Sequence, residues 1–267
     1  MTCVSENLTI NPLDSQLHLA AMIPVGNSSG LTCFMYGTNM MAIVWNPSIR
    51  KYVGIFIPFY THQIECSKIC FGFSVRPDIL DPTIVKVSYL VFQTGFRYVS
   101  VFPLNTLTWS RLQDFQLSRP SLRLKRKSQA VVGRFIYWAS TEKLVSPKRV
   151  PYKDYTLVSF DMVTRQFHII EIPSLLKVVM PTPFSVCELG NSVVISGMFM
   201  TSEVPLFFGW RLDADGTSIT RFSNLFCIPT PMAQQFVNLG IDGNAGSFYI
   251  SPHKESLLLI NHLDRAL

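Results

Sequence analysis

The chain has 267 residues, of which 48% are hydrophobic and only 15% charged, a balance that builds a packed core and excludes a disordered polymer. The formal charge of +6 is spread thinly outside two short basic stretches, which argues against a nucleic-acid-binding protein. No apolar run reaches the roughly 18 to 20 residues that span a bilayer, and no secretory leader precedes the six scattered cysteines. We therefore expect reduced thiols, no membrane partner and a cytoplasmic or nuclear location.

In chain order, residues 1–24 form a leader in which alternating Leu17, Leu19 and Ala21 can supply a closing edge strand before a turn at Pro24-Val25-Gly26. Gly30 to Tyr36 and Met40 to Trp45 read as strands. The chain then turns at Asn46-Pro47-Ser48 and returns through Tyr52 to Ile57. Proline fixes its torsion near the turn value, asparagine can bond its own backbone, and Trp45 puts a large ring on one face. Ile69 to Val75 and Ile84 to Phe92 follow, separated by the turn signals Arg76-Pro77-Asp78 and Asp81-Pro82, and Tyr98 to Leu112 adds a hairpin at Asn105-Thr106.

Leu117 to Gln129 is polar and basic and reads as a surface loop between units. Ala130 to Ala139 turns near Gly133. A second basic loop covers Lys143 to Lys153, and Leu157 to Phe160 and Gln166 to Ile172 flank Asp161 to Thr164. Phe184 to Met200 turns at Gly190-Asn191, and Pro205 to Phe222 at Asp213 to Gly216. Phe236 to Ile241, Phe248 to Ile250 and Ser256 to His262 begin a fifth unit that stops short. One hairpin grammar recurs at 43–52, 101–112, 157–170 and 207–222, and its turn centres lie on the order of 50 to 60 residues apart, near the spacing of propeller blades. The expectation is an all-β propeller of about four to five four-stranded units, with a β-sandwich as the alternative.

The chemistry-bearing residues have plain readings. Trp45, Trp109, Trp138 and Trp210 fall once per unit, as inter-blade core rings do. The five histidines accompany no Ser-His-Asp order, nucleophile elbow or HExxH spacing, so the chain reads as not an enzyme. Cys66 and Cys70 with His62 lack the second pair that a zinc site needs, and Asp213 to Phe222 lacks the closing glutamate of a calcium loop. No metal or cofactor is expected. The basic stretch Arg119, Arg123, Lys125, Arg126 and Lys127, followed by Lys148, Arg149 and Lys153, is the candidate partner-binding surface, suited to steering an acidic client protein.

Several motifs occur in an order that resembles one family. Trp45-Asn46-Pro47-Ser48-Ile49-Arg50-Lys51, Cys70-Phe71-Gly72-Phe73, Ile84-Val85-Lys86-Val87, Val101 to Ser110, Val132 to Ala139 and Val158-Ser159-Phe160-Asp161 are arranged as in the F-box-associated, kelch-like domain of plant F-box proteins. The resemblance implies a kelch-like β-propeller over residues 25–267, complete or short of a closing strand. It also implies a protein-recognition module that captures clients for an SCF-type ubiquitin ligase, with no catalytic residue to carry over. Residues 1–25 do not have the leucine-rich helical pattern of an F-box, so the ligase adaptor is a partner only if an F-box is supplied elsewhere. The loop Ser74-Val75-Arg76-Pro77-Asp78, with Pro82 added, departs from the family pattern. The alternative is a propeller that binds carbohydrate or another small ligand, or a degenerate enzyme.

Overall fold

A computed structural model describes residues 2–4, 22–36, 41–58, 66–90, 97–112, 119, 121–146, 149, 151–179, 184–200, 205–214, 219–229, 249–251, 254–260 and 265–266. Four four-stranded antiparallel sheets follow one another along the chain and are arranged as a four-bladed β-propeller. After β1 (Thr2–Val4), blade 1 holds β2 (Met22–Ser28), β3 (Leu31–Tyr36), β4 (Met41–Asn46) and β5 (Lys51–Phe56). Blade 2 holds β6 (Cys66–Arg76), β7 (Asp81–Leu90), β8 (Arg97–Pro103) and β9 (Ser110–Arg111). Blade 3 holds β10 (Arg123–Val132), β11 (Phe135–Val145), β12 (Pro151–Asp161) and β13 (Phe167–Glu171). A short helix, α1 (Ser174–Val179), leads to blade 4, made of β14 (Ser185–Leu189), β15 (Ser192–Met200), β16 (Pro205–Ala214) and β17 (Ile219–Pro229). Each blade is a meander, and the first strands β2, β6, β10 and β14 lie innermost, where they meet one another around the axis. No helix among the described residues is long and apolar enough to cross a membrane.

Blades stacked face to face bury both sides of their middle strands, which is why Leu31 to Met35 and Phe135 to Ala139 are continuously buried instead of alternating. The core accordingly divides into three clusters, one between each pair of successive blades. Trp138 of blade 3 is buried against blade 2 and donates its indole N–H to the Phe71 carbonyl at 3.2 Å. Trp109 of blade 2 likewise donates to Phe56 of blade 1 at 3.0 Å. Trp210 packs with Tyr137, Ala139 and Leu157 of blade 3. These rings therefore glue neighbouring blades, and Trp109 and Trp138 do so with their one polar group satisfied.

Four inner strands leave little room at the axis, and two glycines make the close approach possible. A Cβ on Gly26 would lie 2.1 Å from Nε2 of Gln129, and one on Gly72 would lie 2.3 Å from Cζ2 of Trp138. Gln129 fills the space. Its Oε1 accepts from the Phe73 amide at 2.9 Å and its Nε2 donates to the Phe73 carbonyl at 2.7 Å, so one side chain joins blade 3 to the inner strand of blade 2. Ser28 ties blade 1 to the same strand by accepting from the Val75 amide at 3.0 Å.

Both ends of the chain pair with other strands of the fold. β18 (Tyr249–Ser251) pairs with β1, while β19 (Arg265–Ala266) runs parallel to β5 and widens blade 1 to five strands. Leu17 to Ala21 and Phe236 to Ile241 lie outside the described residues. The domain boundary at residue 24 falls inside β2, where Pro24 to Gly26 forms an irregularity in the ladder instead of a turn. Ser256 to His262 is not a strand over its described part. Residues 258–260 are a turn, because side chains take the carbonyls that a ladder would use. Asn46, fully buried, donates Nδ2 to Ser256 at 2.9 Å and to Leu258 at 2.7 Å, and Lys51 donates to Ile260 at 2.9 Å.

The Oδ1 of Asn46 also accepts from the Ser48 amide at 2.9 Å, so the residue caps its own turn and clamps the C-terminal segment together. Replacing it with alanine removes three hydrogen bonds and leaves two partly buried carbonyls without their donor, which should cost about 2–4 kcal/mol by urea denaturation. Asn46→Asp keeps the turn cap but points a carboxylate at two carbonyls, and is expected to fall at least as far.

Candidate functional site

The basic stretch read as a loop is mostly strand. β10 begins at Arg123, paired with Thr141, and the ladder then breaks, because Leu124 faces Ser140 but Gln129 faces Trp138. Five steps on β10 thus oppose two on β11, and the surplus bulges from the sheet. Both ends of the bulge are pinned. The Leu124 amide donates to the buried Tyr89 hydroxyl at 2.9 Å, and Gln129 holds Phe73. Beside the bulge, a cavity of about 370 Å³ opens between blades 2 and 3, lined by Ile69, Cys70, Tyr89, Arg123, Leu124, Lys125, Arg126 and Thr141. Arg123 stacks its guanidinium 4.8 Å from the Tyr89 ring centre, and Arg126 is exposed. Lys125 reaches blade 4 instead, donating to the Phe184 carbonyl at 2.5 Å and to Ser185 Oγ at 3.3 Å, and burial holds its ammonium below the usual range. Among the described residues the lining has three cationic residues and no carboxylate.

The other expected contacts separate from this cleft. Arg119 is engaged inside blade 3. It pairs with Glu171, lies 3.6 Å from Glu142 and lies 4.0 Å from Asp154, whose other oxygen takes Lys177 of α1 at 2.5 Å. Lys127 belongs to the bulge, although its side chain is outside the described residues, as is the whole of Lys148. Lys153 is in β12 and Arg149 is between β11 and β12, both exposed. The second basic loop is therefore mainly two paired strands. Strand direction places the start of β10, the end of β11 and the start of β12 at one end of the propeller, so the cleft and this hairpin share a rim. Tyr89, Cys70 and Thr141 were not foreseen, since nothing in an apolar strand marks which residue will border a neighbouring blade's bulge.

No family model and no curated protein matches the chain. Among solved structures it is similar to a saccharide-bound ulvan lyase of a polysaccharide-lyase family, at 9% identity and a TM-score of 0.41, covering 77% of this chain and 55% of that one. It is also similar to the polysaccharide lyase Uly1, at 10% identity and a TM-score of 0.40, covering 74% and 47%. The chain thus spans about half the length of each of these structures. Both of those proteins are enzymes, which runs against the expectation that this chain is not one. That expectation rested on missing nucleophile motifs, a test blind to reactions that need only a positioned acid and base.

Cys70 is in the cleft wall, where burial pushes its thiol to about 12 although the charge of Arg126 pulls the other way. Burial raises Cys33 still more strongly. Neither thiol is disulfide-bonded. At pH 8 both should therefore resist iodoacetamide until the protein unfolds, as peptide mapping will show. A thiol whose folded pKa is raised favours the folded state fully below its ordinary value of 9.0 and withdraws that support as pH climbs toward the folded value. Urea midpoints should accordingly fall between pH 9 and 12, and less so in a Cys33→Ser, Cys70→Ser protein.

Proposed function

We propose that the protein is a ligand-binding propeller whose basic cleft takes a small anionic ligand, such as an acidic saccharide carrying carboxylate or sulfate groups. The observation that carries this reading is the pinned bulge, which brings Arg123 and Arg126 to one cavity whose wall Lys125 also lines, with no carboxylate among the described lining residues. Positive charge gathered beside a partly enclosed space favours an anion, and arginine adds planar, two-pronged hydrogen bonding to carboxylate or sulfate. Thr141 supplies a hydroxyl to the same wall. The free thiols of Cys33 and Cys70 suit a reducing compartment, the cytoplasm or nucleus.

A second reading is client capture for a ubiquitin ligase, as the motif order implies. It draws support from the exposed Arg126, Arg149 and Lys153 on one rim, which an acidic client would meet. Pull-down with mass spectrometry separates the two readings, since ligase subunits or ubiquitinated clients belong only to the second.

Calorimetry with a glucuronate-containing oligosaccharide and a neutral glucose oligosaccharide of equal length tests the first reading. The acidic one should bind and the neutral one should not. Added salt should weaken binding, and Arg123→Gln or Arg126→Gln should each weaken it about ten-fold or more. Equal binding of both sugars, or indifference to both substitutions, removes the cleft as an anion site.

A further inference from the structure

The hairpin of β11 and β12 outgrows its blade. The ladder with β10 starts only at Arg123 and Thr141, and the ladder with β13 reaches no further than Glu171 and Thr156. Beyond these rows Glu142 pairs with Asp154, Lys143 with Lys153, Leu144 with Tyr152 and Val145 with Pro151, as a two-stranded arm. Such a ribbon is marginal alone, and ions fix its root. Glu142 takes the Ser121 hydroxyl and Arg119, and Asp154 takes Lys177.

Because side chains alternate across a strand, charge is sorted between the two faces of the arm. Glu142, Leu144, Tyr152 and Asp154 share the face on which both carboxylates are neutralised. Lys143, Val145, Pro151 and Lys153 share the other, and all four are exposed, Val145 by 67%. There two lysines stand directly opposite each other, a like-charge pairing that destabilises a ribbon, with Arg149 in the connecting turn. Among the described residues none of these three cations is paired with a carboxylate.

We propose that this face of the arm docks an acidic, apolar-interspersed segment of a partner protein. Carboxylates placed between Lys143 and Lys153 relieve the repulsion, and the exposed Val145 and Pro151 accept an apolar side chain beside them. A nucleic-acid strand fits less well, because its affinity comes from many phosphate contacts along a basic track, whereas here three described cations surround an apolar patch. This inference is independent of the cleft.

Fluorescence anisotropy with a labelled ten-residue peptide of alternating glutamate and valine tests it on the full chain. Lys143→Ser with Lys153→Ser should weaken binding about ten-fold or more while leaving the melting temperature unchanged or higher, since a repulsive pair is gone. Lys153→Glu alone should abolish binding by creating a cross-strand Lys-Glu pair, and Arg126→Gln in the cleft should leave it untouched. The proposal is overturned if the double variant binds the peptide normally, or if it aggregates instead, since the lysines then only guard an open edge. Loss of peptide binding in Arg126→Gln, or tighter arm-dependent binding of a single-stranded oligonucleotide of equal charge, overturns it as well.

Discussion

The carboxamide of Gln129 is the constraint on which both the packing at the axis and the cleft depend. It joins the inner strand of blade 3 to both the amide and the carbonyl of Phe73, in a space that exists only because Gly26 lacks a side chain. Once Gln129 is held there and Leu124 is held by Tyr89, the chain between them is longer than the ladder can use. The excess has to leave the sheet, and its composition, Lys125-Arg126-Lys127-Ser128, decides what the cleft can attract. A packing contact at the centre thereby sets the electrostatics of a surface.

Fold class was legible because the outer hairpin of each blade writes itself locally. The repeat at 43–52, 101–112, 157–170 and 207–222 is in each case the third and fourth strands of a blade, and side-chain caps shape its turns. Asn46 caps Ser48 at the end of β4, and Asp161 caps Val163 and Thr164 at the equivalent end of β12. In blade 2 the duty passes to Asp81, which accepts from the Asn105 amide at 3.0 Å. The motifs that carried the family resemblance include these caps and the inter-blade tryptophan Trp138, so they report how blades are built more directly than what they bind.

What escaped the sequence was non-local. Arg123 to Lys127 has the composition of a loop, and only the ladder with β11 and the anchor at Tyr89 make it strand. Ser256 to Ile260 has the apolar pattern of a strand, yet its carbonyls are claimed by Asn46, 210 residues away in sequence for the nearest of them. Of the eight basic residues, five cluster in sequence, but Arg119 is drawn off by Glu142, Asp154 and Glu171, acids that lie from 23 to 52 residues downstream. Charge density along a chain is therefore a poor guide to free charge on a surface, because it omits the partners that the fold brings in.

Strand direction adds a division of labour between the two ends of the propeller. Third strands finish where Asn46 and Asp161 stand, and there the C-terminal segment is clamped and the turns are capped. Inner strands begin at the opposite end, which carries the bulge, the cleft and the arm. Cations at that opposite end carry little of the fold, since Arg126, Arg149 and Lys153 are exposed and lie beyond the three inter-blade cores. Change there alters charge and shape without opening a blade interface. A propeller so arranged can alter its recognition surface at one end while the buried clamps of Asn46 and Gln129 keep the blades in place.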